Sequence, residues 1–201
     1  MDLHELILTQ HARLHAAEVG RPDLSIQDYV LSDVTEAQMR LRPLPGSNSL
    51  AWLFWHMTRA EDLGVNVILT QSTQIFDVGD WGARLGVSLR DIATGMTDLE
   101  VGDFSQRIDI GALLAYRAAV GRHTQAILRD LRPEVLDEVI DADLIQQARA
   151  AGAFGPNGEV VPQRWTGKRK AFTLTHTVLG HAFLHLGQAD ILRGLLGLPT
   201  I

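Results

Sequence analysis

The chain has 201 residues, no cysteine and a formal net charge of -6. That length fits one domain with a full core. The missing cysteine excludes disulfides, thiolate metal sites and a thiol nucleophile of its own, and the negative balance argues against nucleic acid as a partner. No uncharged apolar run approaches the roughly 20 residues of a membrane span. The opening MDLHELIL lacks the basic start and apolar run of a secretory signal, so a cytoplasmic protein with no membrane partner is expected.

Residues 2–18 read as a helix, with Leu3, Leu6, Ile7, Leu14 and Ala17 at helical spacing. His4, His11 and His15 form a second stripe with Leu8, and Gly20-Arg21-Pro22 ends the segment. Thr35-Glu36-Ala37-Gln38 has the form of a capping box. Arg42-Pro43-Leu44-Pro45-Gly46 is a stiff turn, because each proline fixes its own φ and restricts the residue before it. Ser47, Asn48 or Ser49 can cap a second helix, LAWLFWHMTRAEDLGVNVIL, running to about Leu69. The next forty or so residues are loop-rich, with a short helix expected around Ser88 to Thr97.

Asp109 caps a third helix, Ile110 to about Leu131, which Pro133 stops. Within the second long connection, Glu134 to Ala151 is expected to form one or two short helices. Asn157-Gly158 between apolar residues suggests a small hairpin. A basic run, Arg164, Lys168, Arg169 and Lys170, surrounds Trp165. The fourth helix runs from Thr175 to Gly197, with Gly197 and Pro199 as its stop. Four helices of about 17 to 24 residues predict an all-α chain, a single four-helix bundle whose two long connections leave room for crossovers.

The fourth helix holds the clearest chemical signal. His181 and His185 stand four residues apart, one turn apart on one face. Leu184, Ile191, Leu192, Leu195 and Leu196 flank or continue that face, so both rings are predicted to point inward. Buried imidazoles need partners for their nitrogens, and a divalent metal would supply one. His56 lies mid-helix among Trp52, Leu53, Met57 and Leu63, and a bundle can bring it to the open side of the pair. Three neutral imidazoles leave positions free on the ion, as catalytic zinc does, but imidazole suits nickel, iron and copper as well.

The other histidines read differently. His11 and His15 share the same spacing and are read as a solvated or edge stripe; the alternative is a second metal site or a contribution to the first. His176 lies five residues before His181, about 140° away on an α-helix, and should point elsewhere. His123 can be edge or core. Glu61 and Asp62 fall off the His56 face and are expected at the surface or behind the ligands. Glu-x-x-His pairs and His-Glu-x-x-His are both absent, against ferritin-like iron chemistry and a zincin protease. Arg59, Gln188, Arg164 and Lys168 are the candidates for holding a bound small molecule, with a solvated helix end as the other reading of Arg59.

SNSLAWLFWHMTRAED, followed much later by GHAFLHLGQADILRGLLG, resembles the DinB/YfiT-like superfamily. Its members share a mid-helix histidine on helix two and His-x-x-x-His on helix four, with a glutamine three residues on. The resemblance implies His56, His181 and His185 as metal ligands in a four-helix bundle of unusual connectivity, often dimeric, with zinc or nickel bound. It covers the helical core and not the loops at 70–108 and 132–170. Many members carry an arginine directly after the last histidine, where this chain has Leu186. Known activities in the family are often thiol-dependent transfers or isomerisations using mycothiol, bacillithiol or glutathione. The resemblance therefore implies a metal-dependent thiol S-transferase or isomerase acting on a small electrophile, in a homodimer. A non-catalytic metal-binding stress-response module, a metal-dependent hydrolase and a bundle whose histidines merely pack are the alternatives.

Overall fold

The computed structural model describes residues 2–200, and the Leu3 side chain lies outside what it describes. Among the described residues all regular secondary structure is helical, apart from one isolated antiparallel bridge between Val139 and Arg169. Helix α1, Leu3–Arg13, is capped by Asp2, whose carboxylate accepts from Glu5 N. It is shorter than its pattern predicts. The chain turns after Leu14 and resumes as the short helix Ala17–Gly20, closed by Arg21 at φ 49°.

Helix α2 begins where Ser49 Oγ accepts from Trp52 N. It runs as an α-helix, Leu50–Asp62, and continues directly as a π-helix, Leu63–Leu69. Every residue from Leu50 to Asp62 is buried, so α2 is the axis of the molecule rather than an amphipathic outer helix. Helix α3, Ile110–Asp130, is capped by Asp109 as its sequence predicts. Helix α4 is a π-helix, Thr173–Gly180, followed by an α-helix, His181–Leu195. Helix α2 packs on α3 and α4, while α1 lies on α3 and meets the π-helical half of α4. Where the two π-helical halves meet, Gly64 permits the approach: a Cβ there would stand 3.1 and 3.2 Å from the methyls of Thr173 and Thr177.

The main core gathers Leu53, Phe54 and Trp55 with Leu113, Tyr116 and Leu186. A second core lies under the long connections and joins Leu63, Ile68 and Ile92 to Ile145, Phe154 and Trp165. The capping box at Thr35 and Gln38 forms, and the 134–151 stretch holds a 3-10 helix, Pro133–Asp137, and an α-helix, Ala142–Ala150.

Three local expectations fail for packing reasons. Residues 88–97 are not a helix; the helix follows them, Asp98–Arg107, with its own capping box from Thr97 and Glu100. Asn157-Gly158 does not turn a hairpin, since an isolated hairpin is marginal in water, and Phe154 and Trp165 bury against each other with ring centroids 5.7 Å apart. Val160–Trp165 is helical instead. On α4, Leu184, Ile191 and Leu195 are exposed (61, 64 and 48%), and only Leu192 of the apolar residues expected to flank the histidines is buried. The histidines thus lie at the border of the core, beside an outward apolar stripe. No described helix is long and apolar enough to cross a membrane.

Candidate metal centre

His56, His181 and His185 come together between α2 and α4. His56 Nε2 stands 3.0 Å from His181 Nε2, and His185 Nε2 stands 2.9 Å from the same atom. The opposite ring nitrogens decide what these short contacts mean. His56 Nδ1 is 2.5 Å from the Ile92 carbonyl, which only accepts, so Nδ1 carries the proton. His185 Nδ1 is 2.6 Å from Gln188 Oε1, an acceptor as the amide stands, which matches a proton on Nδ1 there too. Two Nε2 lone pairs therefore point at His181 Nε2, and His181 Nδ1 is buried with no partner. Three imidazoles facing one another through Nε2, two of them held from behind by a carbonyl and an amide oxygen, form a group that could hold a divalent cation. Burial, the neighbouring rings and Arg164 push His181 down to about 2, and burial, aided by His185 and opposed by the Ile92 carbonyl, pushes His56 down to about 4. Burial lowers His185 too. The rings are thus neutral and able to ligate across the physiological range.

The Ile92 carbonyl is itself fixed by α2. Arg59 Nε donates to Arg90 O at 2.9 Å, Trp55 Nε1 to Asp91 O at 3.0 Å and His56 Nδ1 to Ile92 O. Three side chains of one helix grip three consecutive carbonyls, and Ala93 follows at φ 61°, a conformation that costs an alanine free energy and persists only under such constraint. Trp52 stacks on the His56 ring, centroids 4.7 Å apart.

The structure relocates several residues. Arg59 is neither a solvated helix end nor on the cavity: it is fully buried, and it also bonds Asp62, Tyr116 and Gln74. Glu61 and Asp62 are fully buried rather than superficial. Asp62 accepts from Arg59, Tyr116, Asn66 and the Ile75 and Phe76 amides. Gln188 sits behind His185, and Lys168 lies 5.9 Å over the Phe172 ring. Arg164 does face the centre, on the wall of a cavity of about 310 Å³ that also includes His56, His181 and His185. His176 lies on that wall too, against the α-helical wheel. The reason is the π-helix: the His181 amide donates to His176 O, an i to i+5 bond that stacks the two residues. His123 is partly buried and bonds Asn66 Oδ1 at 2.8 Å.

His11 and His15 are not a solvated stripe; both are fully buried. Their Nε2 atoms reach the two oxygens of Glu61, at 2.8 and 3.0 Å. Gln125 Nε2 bonds both Leu8 O and His11 Nδ1, which orients the amide and places the His11 proton on Nε2, toward Glu61. His15 Nδ1 has no partner and points at Gly121, where a Cβ would come within 2.5 Å. Burial opposes a charge on Glu61, but the two histidines outweigh it and hold the carboxyl well below its usual range. Burial pushes His15 down to about 4. By proximity alone, both histidine clusters could hold an ion. In this second one, however, each Nε2–H already has a carboxylate oxygen, which leaves His15 Nδ1 as the cluster's one unpartnered nitrogen among the described residues.

The similarities to known proteins agree with this fold. A model of the DinB superfamily matches residues 26–189. Among solved structures, the crystal structure of a conserved protein from Enterococcus faecalis is similar, with a TM-score of 0.70 and 22% identity over 98% of this chain and 99% of that one. At that identity the likeness speaks for the fold. No curated protein sequence matches the chain. With a family model spanning most of its length and the helical fold in agreement, the chain belongs to the DinB superfamily.

Proposed function

We propose that this protein is a metal-dependent thiol S-transferase or isomerase that joins a low-molecular-weight thiol, such as mycothiol, to a small electrophile. The supporting observation is the convergence of three imidazole Nε2 atoms on one point, with two of the rings fixed from behind by Ile92 O and Gln188 Oε1. On this reading His56, His181 and His185 hold a divalent ion, zinc or nickel. The bound ion would supply a positive charge that keeps a coordinated thiol as thiolate near neutral pH. The chain has no cysteine, so the sulfur must come from a cosubstrate. Its own residues do the rest. Trp52 and the 90–92 clamp hold His56 in register, and Trp165, Leu63 and Ile92 keep the cavity apolar. Arg164 and Lys168 are proposed to meet charged groups of the bound molecules.

The 3–13, 50–69, 110–130 and 173–195 segments are proposed as the four-helix core of the family. The exposed stripe of Leu184, Ile191 and Leu195 is proposed to pair two copies in a cytoplasmic homodimer.

The test is metal analysis of untagged protein beside the triple variant His56→Ala, His181→Ala, His185→Ala, followed by thiol-dependent consumption of monochlorobimane. One metal per chain, absent from the variant, with turnover only when thiol is added, is expected. Turnover of esters or amides without thiol would favour a hydrolase. Metal without turnover would leave a binding module.

A further inference from the structure

Resting on the thiol-transfer reading, the cavity also says what kind of electrophile it suits. Of the basic run, Arg169 pairs with Asp137 and Lys170 with Glu138, while Lys168 lies over Phe172. Arg164 alone of the four lines the cavity, and no hydrogen bond or ion pair holds its guanidinium among the described residues. It is nonetheless well placed, because the next residue, Trp165, is 2% exposed and its Nε1 donates to Thr177 Oγ1 on α4 at 3.1 Å.

The rest of the wall has a consistent character. It contains no aspartate or glutamate among the described residues, so no carboxylate there competes for Arg164. Two further wall residues carry buried polar atoms with no partner in the chain, Trp52 Nε1 and Thr94 Oγ1. Trp52 is 7% exposed, and an indole N–H can only donate. Arg164 is exposed and its charge is free to meet a ligand oxygen, and the buried indole N–H lacks an acceptor that such an oxygen would supply. The wall also includes Leu63, Ile92 and Trp165, which suit hydrocarbon.

We propose that the cavity binds a small carboxylic acid with an apolar, aliphatic or aromatic body as the electrophilic partner, its carboxylate on Arg164 at the mouth and its body against Trp52, Leu63, Ile92 and Trp165. The arginine then orients the reacting carbon toward the three histidines, and an uncharged or cationic analogue loses that orientation.

The experiment is a titration followed by intrinsic tryptophan fluorescence, which Trp52 and Trp165 report, on metal-free protein. The probes are 4-phenylbutyrate and its neutral counterpart 4-phenylbutanamide. The acid is expected to bind about tenfold more tightly than the amide, the scale of one partly desolvated charge-assisted pair. Arg164→Gln should erase that preference, while Arg129→Gln, a change in an exposed residue of α3, should leave it intact. Arg164 holds nothing else in the fold, so the variant is expected to keep the wild-type circular dichroism. Equal affinities for acid and amide, no saturable binding of either, or a preference that survives in Arg164→Gln would each overturn the proposal. So would glutathione binding that weakens in Arg164→Gln, because the arginine would then read the thiol. Metal content and bimane turnover decide the reading above independently, and this titration uses neither.

Discussion

The molecule holds two histidine pairs with the same four-residue spacing, and they are opposite constructions. On α4, His181 and His185 meet His56 through Nε2 atoms facing inward, with no proton donor among them except one that His181 could offer. Under α1, His11 and His15 meet Glu61 with both Nε2 protons facing inward onto a carboxylate. One group turns ring acceptors toward a shared centre, as cation ligands would, and the other turns ring donors onto a carboxylate, with His15 Nδ1 its one unpartnered nitrogen among the described residues. What separates them is the group behind each ring. A carbonyl and an amide oxygen pull the protons of His56 and His185 away from the centre, whereas the Gln125 amide pushes the His11 proton toward it. Spacing alone could not distinguish them.

The comparison breaks most sharply at Glu61. Glu61→Ala leaves two buried imidazole N–H groups without acceptors and deprives the fully buried Arg117 of the carboxylate that supports its charge. A loss of about 3–5 kcal/mol is expected, read by denaturant unfolding, with metal per chain unchanged in whatever remains folded. Metal that disappears with Glu61 while the fold survives would make the His11 cluster the ion site and reverse the assignment.

Acid should find the same cluster. Above pH 6.5, His15 is neutral in both folded and unfolded chains, and Glu61 is ionised in both. Below 6.5 the unfolded chain takes up a proton at His15 that the folded chain refuses until about pH 4. The unfolded state therefore binds more protons, and stability falls as pH drops through that window, by about 3 kcal/mol. Glu61, held low in the fold, extends the loss below pH 4.5. Denaturant midpoints of chelated wild type and His15→Gln between pH 7 and 4 separate this share from that of His56, His181 and His185, whose imidazoles burial also holds low; a difference that does not change with pH would mean the cluster is already protonated at neutral pH.

The smallest effect belongs to the other centre. In chelated protein, His185→Ala removes a half-buried ring that completes no network, and it should cost about 1 kcal/mol or less. The same change should abolish stoichiometric metal binding and the thermal stabilisation that added zinc confers. A large loss in the absence of metal would show that these three rings, too, are structural.

Much of this was legible beforehand. Ser49, Thr35, Asp109 and Gly197 mark helix ends by local chemistry, and the three facing histidines follow from helix periodicity plus bundle packing. His176 was misplaced because an α-helical wheel does not hold through a π-helical turn. Helix periodicity puts Glu61 off the His56 face but does not say whether its own side is wet or dry, and the same holds for Arg59 and the His11 stripe, all of which are buried. The 88–97 segment gave no sign that its carbonyls would be gripped in succession by Trp55, His56 and Arg59.

By itself the sequence determined where the long helices lie, that no thiolate ligand exists, and that His181 and His185 share a helix face, because caps and periodicity act over a few neighbouring residues. Only the tertiary structure decided which polar faces are dry. Helix α2 is enclosed on every side by elements far away in the chain, and a residue's burial depends on what packs against it. That enclosure turns Glu61, Arg59 and Asp62 from surface charges into internal struts. It leaves Arg164 as the unpaired cation at the mouth of the histidine cavity.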